Sequence, residues 1–128
     1  MPEPQPFEYR ARVERWVDGD TVDLAIDLGF RTYMRDRFRL YGVNTNELRP
    51  RKDDFATEEL RQAHIAKAKL AVDMVNELAP VGTHVLIKTH MEQGKYGRWL
   101  AEMYIEEKEE WIKEILIEGD LGVPYMES

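Results

Sequence analysis

The chain has no cysteine. Disulfides and thiolate metal sites are therefore excluded, and an intracellular setting is the expectation. No run approaches the ~18 consecutive apolar residues that a membrane-spanning helix needs. The opening residues, MPEPQPFEYR, have neither the basic start nor the apolar stretch of a secretory signal. A cytoplasmic protein without membrane contact is expected on both counts. Internal repeats and low-complexity tracts are lacking too. Also missing is the surplus of positive charge usual in proteins that bind nucleic acid, since the net charge is −7.

What is present bounds the answer further. A chain of 128 residues suits one domain, here 1–128, with the Pro-rich residues 1–6 as a frayed arm. A hydrophobic content of 43% supplies a core, and 34% charged residues supply a soluble surface. The negative charge is unevenly spread. Residues 102–128 hold nine acidic and two basic side chains, which accounts for the whole excess. Residues 31–52 hold seven basic side chains (Arg31, Arg35, Arg37, Arg39, Arg49, Arg51 and Lys52) against Asp36 and Glu47. A local basic patch is thus available for phosphates, although a solvated strand face explains Arg31, Arg35 and Arg37 equally well.

Periodicity orders the elements. Residues 8–17 alternate as a strand, and Asp18-Gly19 is a strong turn signal. Residues 21–28 alternate again, with Val22, Leu24, Ile26 and Leu28 on one face. Residues 30–41 form a third strand, with Phe30, Met34, Phe38 and Leu40 on its apolar face. A polar loop over 46–55 leads to a helix capped by Asp54 or Thr57 and running to about Leu78. Its apolar stripe is Leu60, His64, Ala68, Ala71, Val75 and Leu78. Strands at 84–90 and 98–105 and a helix over 109–118 complete the order β-β-β-α-β-β-α. That order predicts an α+β, mainly β fold: a five-stranded OB-fold barrel with one helix between strands three and four and a C-terminal helix.

Three short segments can carry chemistry. In Asp18-Gly19-Asp20-Thr21, a turn in its own right, Asp20 offers a carboxylate to a hard cation. In Arg39-Leu40-Tyr41-Gly42-Val43-Asn44-Thr45-Asn46-Glu47, Arg39 offers a planar fork for a phosphate. Glu47 in the same stretch offers a general base for water. In Lys95-Tyr96-Gly97-Arg98, Arg98 offers a second guanidinium, and Lys95 and Tyr96 offer contacts to a neighbouring phosphate or base. Together they suit hydrolysis of a phosphodiester, whose transition state gathers negative charge.

DGDTV, FRLYGVNTNE and KYGR, in that order and spacing, resemble the staphylococcal nuclease (thermonuclease) family over about residues 8 to 125. The ending ILIEGDLGVPY is similar to the family's closing helix and aromatic. The resemblance implies a calcium-dependent endonuclease that cleaves DNA or RNA, leaving 5′-hydroxyl and 3′-phosphate ends. It implies Asp20, Asn44 and Thr45, the last through its backbone carbonyl, as metal ligands. Arg39 and Arg98 become phosphate-binding arginines, Glu47 the general base and Asp18 a support for the ligands. Lys95, Tyr96 and Tyr125 line the nucleotide site. The compact form is similar to versions carried by bacteria and their phages, and a monomer is expected.

Two positions depart from the family pattern. Asn44 stands where the best-studied members have Asp, so it offers calcium a carbonyl oxygen without charge. Asn46 stands where Pro is usual, so the loop before Glu47 loses a stiffening residue. An inactive OB-fold module that binds nucleic acid is the alternative, and a partner-binding domain using the acidic end is a third. His64 reads as a partly buried structural histidine, His84 and His90 fit no metal spacing, and Trp99 and Trp111 read as packing residues.

Overall fold

Alternation of side chains through the first forty residues yields a meander, which then curls until its edges meet. The computed structural model describes residues 8–91 and 99–124. Strands β1 (Glu8–Asp18), β2 (Thr21–Asp27) and β3 (Tyr33–Leu40) are antiparallel neighbours. β1 is long enough to serve two partners. Ala11–Asp18 runs beside β2, and Glu8–Arg12 runs beside β5 (His84–Met91). Its register slips between Val13 and Arg15 and between Trp16 and Asp18. Such irregularities bend and twist a strand, as closure requires. β5 pairs with β6 (Trp99–Ile105), which lies parallel to β3 with Phe38 opposite Trp99 and Leu40 opposite Ala101. The circuit β1-β2-β3-β6-β5 is a closed, OB-like barrel in a mainly β protein with two helices.

Inward-facing residues fill the barrel. Val13, Val22, Leu24, Phe38, Ile87 and Met103 are at most 1% exposed. Burying side chains of this size stabilises by about 1.5–3 kcal/mol each. Helix α1 (Glu58–Leu78) starts at Thr57, whose hydroxyl accepts the Leu60 N–H at 3.1 Å. Asp54 instead ends a single 3₁₀ turn over Lys52–Asp54. Glu58 and Glu59 suit the positive end of the helix. The buried part of its stripe is Ala68, Ala71 and Val75, while Leu60 in the first turn is 55% exposed. At the other end the Trp16 indole N–H donates to the Ala79 carbonyl at 2.9 Å, pinning the helix terminus to β1.

The remaining elements are short. β4 (Val43–Thr45) follows Gly42, whose φ of 84° turns the chain away from β3. β7 (Glu110–Trp111) extends the sheet beside β6, and α2 (Ile112–Glu118) inserts Ile112 and Leu116 into the core. β8 (Gly122–Pro124) pairs with β4, Asn44 lying opposite Val123 and Thr45 opposite Gly122. Among the described residues no helix is long and apolar enough to cross a membrane.

Two expected boundaries move. The third strand begins at Tyr33, because Gly29, Phe30 and Arg31 take φ of 84°, 55° and 61° in a turn closed between Leu28 and Thr32. Phe30 is fully exposed there; its place in the alternating pattern is a coincidence of spacing. The second helix begins at Ile112, because Glu109 adopts φ 53° and the next two residues join the sheet.

A tight junction lies at Gly19. A Cβ there would lie 2.8 Å from Ala71 Cβ and 2.9 Å from Thr45 Oγ1. Gly19→Ala is therefore expected to destabilise the fold by about 1–3 kcal/mol through overpacking. A lower urea midpoint with an unchanged slope in equilibrium unfolding checks this.

Candidate functional site

The turn between β1 and β2, the end of β3 and the strand β4 meet at one mouth of the barrel, and Asp20 stands at their junction. Its main-chain carbonyl accepts the Leu40 N–H at 2.8 Å, which fixes the turn to the end of β3. Its carboxylate has partners of its own. Oδ2 accepts the Thr45 N–H at 3.0 Å and lies 3.8 Å from Arg39 Nη2, and Oδ1 accepts the Thr21 hydroxyl at 3.1 Å. Asp20 is the one charged residue in the buried set among the described residues, at 9% exposure. Arg39 reaches this junction from β3, where its Cα partner is Thr21. Its side chain is as enclosed as that of Asp20, at 12%.

The next residues are held one after another. The Asn46 side-chain amide donates to the His64 carbonyl at 3.2 Å. Glu47 Oε2 lies 3.3 Å from His64 Nε2, with the Glu47 side chain 64% exposed. The Leu48 N–H donates to Asp18 Oδ1 at 3.1 Å. Residues 46 and 48 are thus tied by hydrogen bonds to α1 and to the end of β1. The carboxylate of Asp18 works against its own environment. Burial pushes its pKa above the ordinary 3.8, the Leu48 N–H offsets part of this, and the charges of Asp20 and Glu47 add to the rise.

Asp20, Arg39, Asn44, Thr45 and Glu47 all lie at this mouth or in the loop leaving it. Lys95, Tyr96, Arg98 and Tyr125 lie outside the described residues. The segment bearing Lys95, Tyr96 and Arg98 is followed in the chain by Trp99, whose Cα partner is Phe38, the neighbour of Arg39.

The donors suit a hard cation. Asp20 offers a carboxylate, Asn44 a side-chain carbonyl and Thr45 a main-chain carbonyl, all oxygens of the kind calcium or magnesium takes. The carboxylate of Asp20 is enclosed and its arginine partner stands at the outer limit of an ion pair. A carboxylate oxygen enclosed at such a place is a donor of the kind a hard cation takes. No three His, Asp or Glu side chains converge on a metal position among the described residues. A ligand set drawn from the described residues would have to include neutral oxygens, such as those that Asn44 and Thr45 offer.

His64 was not legible as a partner of this loop. Its place on the apolar stripe gives a structural reading, and the ring does pack edge-on to Phe55 with centroids 5.0 Å apart. Only the path of the loop over the first turns of α1 brings Glu47 to it. The basic strand face resolves as well. Arg37 makes a two-pronged contact with Asp23 at 2.8 and 3.3 Å, and Arg35 meets Glu14 at 3.0 Å. Both contacts lie within the sheet, and both arginines remain more than half exposed. His90 lies 3.1 Å from Glu102 and stacks on Tyr41 with centroids 4.3 Å apart. Trp111 packs against Tyr104 beneath Lys88.

No protein-family model matches the chain, and no curated protein matches it.

The raised pKa of Asp18 has a defined sign in stability. The folded state holds a proton on this group more tightly than the unfolded chain does. Stability therefore falls as pH rises from the ordinary 3.8 through the higher folded value, and stays level above it. Asp18→Asn keeps an oxygen for the Leu48 N–H and removes the charge. Thermal unfolding with chelator present should show the variant losing less stability than the wild type over that window. An identical pH dependence in the two proteins would contradict the assignment.

Proposed function

We propose that the chain is a calcium-dependent endonuclease of the staphylococcal nuclease type, hydrolysing phosphodiester bonds of DNA or RNA. One observation carries the reading. A single enclosed carboxylate oxygen, Asp20 Oδ2, has Thr45 N–H and Arg39 within reach, at 3.0 and 3.8 Å, and Glu47 follows two residues later. Two chain segments, the turn bearing Asp20 and the stretch from Arg39 to Glu47, thereby offer a cation ligand, a phosphate ligand and a base to one rim. The helix packed across the barrel between its third and fourth strands accords with the OB-fold form of this reading.

The residues divide the work. Arg39 offers two parallel N–H donors to the phosphate oxygens, where negative charge grows in the transition state. Glu47 receives the proton of the attacking water, and its high exposure leaves room for that water. Arg98 is the second guanidinium, and Lys95, Tyr96 and Tyr125 are the nucleotide contacts, on the strength of the resemblance. Asp20, Asn44 and the Thr45 carbonyl hold the cation. Calcium, when bound, supplies positive charge against the phosphate and makes the water more acidic. A binding module that never cuts has no use for a tethered Glu47.

With millimolar calcium the protein should cut single-stranded or duplex DNA to 3′-phosphate ends, and a chelator should abolish cutting. Glu47→Gln should lower the rate by about 10²–10⁴-fold without loss of folding. A folded protein that binds oligonucleotide but leaves it intact at any calcium concentration would assign the chain to the binding-module class instead.

Asn44→Asp adds a charged ligand. It is expected to tighten calcium binding on the order of tenfold. Calorimetric titration checks this without reference to turnover, and an unchanged affinity would remove Asn44 from the ligand set.

A further inference from the structure

Glu47 presents a difficulty for a general base. It has a long side chain, it is 64% exposed, and it sits in a loop without regular structure. Left alone it would spread over many rotamers, and a base that is out of line with its water is slow. The loop makes two consecutive contacts with a single helical residue. Glu47 Oε2 meets His64 Nε2 at 3.3 Å, and the Asn46 amide donates to the His64 carbonyl at 3.2 Å. His64 is well placed to hold them. It lies in the second turn of α1, its side chain is 22% exposed, and its ring is braced by the edge contact with Phe55.

We infer that His64 is a positioning residue for Glu47: its Nε2–H donates to one carboxylate oxygen and leaves the other oxygen free for water. The direction of the bond follows from the acceptor. An ionised carboxylate has no proton to give, so the ring nitrogen is the donor, and the neutral ring carries its proton on Nε2. Charge is not required for this role; a fixed donor is. The inference rests on the nuclease reading, in which Glu47 is the base.

The experiment is a set of steady-state measurements on wild type, His64→Ala, His64→Gln, Glu47→Gln and the double variant His64→Ala/Glu47→Gln, each with its melting temperature. His64→Ala should lower kcat by about three- to tenfold with KM unchanged, as expected for a displaced base. His64→Gln, whose side-chain amide can supply the donor, should recover most of the loss. In the Glu47→Gln background His64→Ala should cost nothing more, because its effect passes through Glu47. Should His64→Ala fail to fold, His64→Phe keeps the packing against Phe55, lacks the donor and replaces it in the series.

An unchanged kcat in His64→Ala overturns the inference. So does an equal loss with and without the Glu47 carboxylate, or a loss that His64→Gln fails to restore. Calcium-dependent cleavage by the wild type that Glu47→Gln lowers by about 10²–10⁴-fold upholds the nuclease reading whatever the His64 variants do. Absence of cleavage by the wild type overturns both.

Discussion

A carboxylate enclosed to the extent of Asp20 is costly unless its neighbours are arranged around it, and here the neighbours come from every part of the mouth. The turn after β1 supplies the group, and the Thr21 hydroxyl steadies one oxygen. The other oxygen takes the Thr45 N–H, which fixes β4 against the turn, and it orients Arg39 at the end of β3. Gly19 lets this happen, since any side chain there would collide with Ala71 and Thr45. Removing the Asp20 carboxylate would therefore loosen three segments together. The same group holds the architecture of the rim and, in the proposed reading, the cation.

Much of the fold could be read from the chain because the barrel rests on local periodicity. Val22, Leu24 and Ile26 alternate with polar residues, and they do face the core. Asp18-Gly19 is a turn signal, and the chain reverses there. Ala68, Ala71 and Val75 recur at helical spacing and are the buried part of α1. Misplaced boundaries lie where one backbone conformation interrupts a continuing pattern. The left-handed residues Phe30, Arg31 and Glu109 leave no mark in hydrophobic spacing.

The rim was legible in a different way. Asp20, Arg39 and Glu47 stand out as residue types at turns and strand ends, but contacts between distant segments have no local signature. The meeting of Glu47 with His64 spans 17 positions and depends on how a loop crosses a helix. Likewise, seven basic residues in a short stretch suggest a positive surface, yet cross-strand neighbours decide its charge. Arg37 lies opposite Asp23 in the register of β2 and β3, which turns a row of cations into a row of ion pairs.

The small ladder between β4 and β8 ties Asn44 and Thr45 to Val123 and Gly122. Gly122 is the residue that admits the close approach, since a Cβ there would lie 2.6 Å from Val43 Cγ2. The pairing spans nearly eighty positions of the chain. During synthesis the barrel strands can begin to associate as they emerge, but among the described residues the strand partner of β4 is β8, which follows them all in the chain. Completion of the rim thus follows the emergence of all five barrel strands.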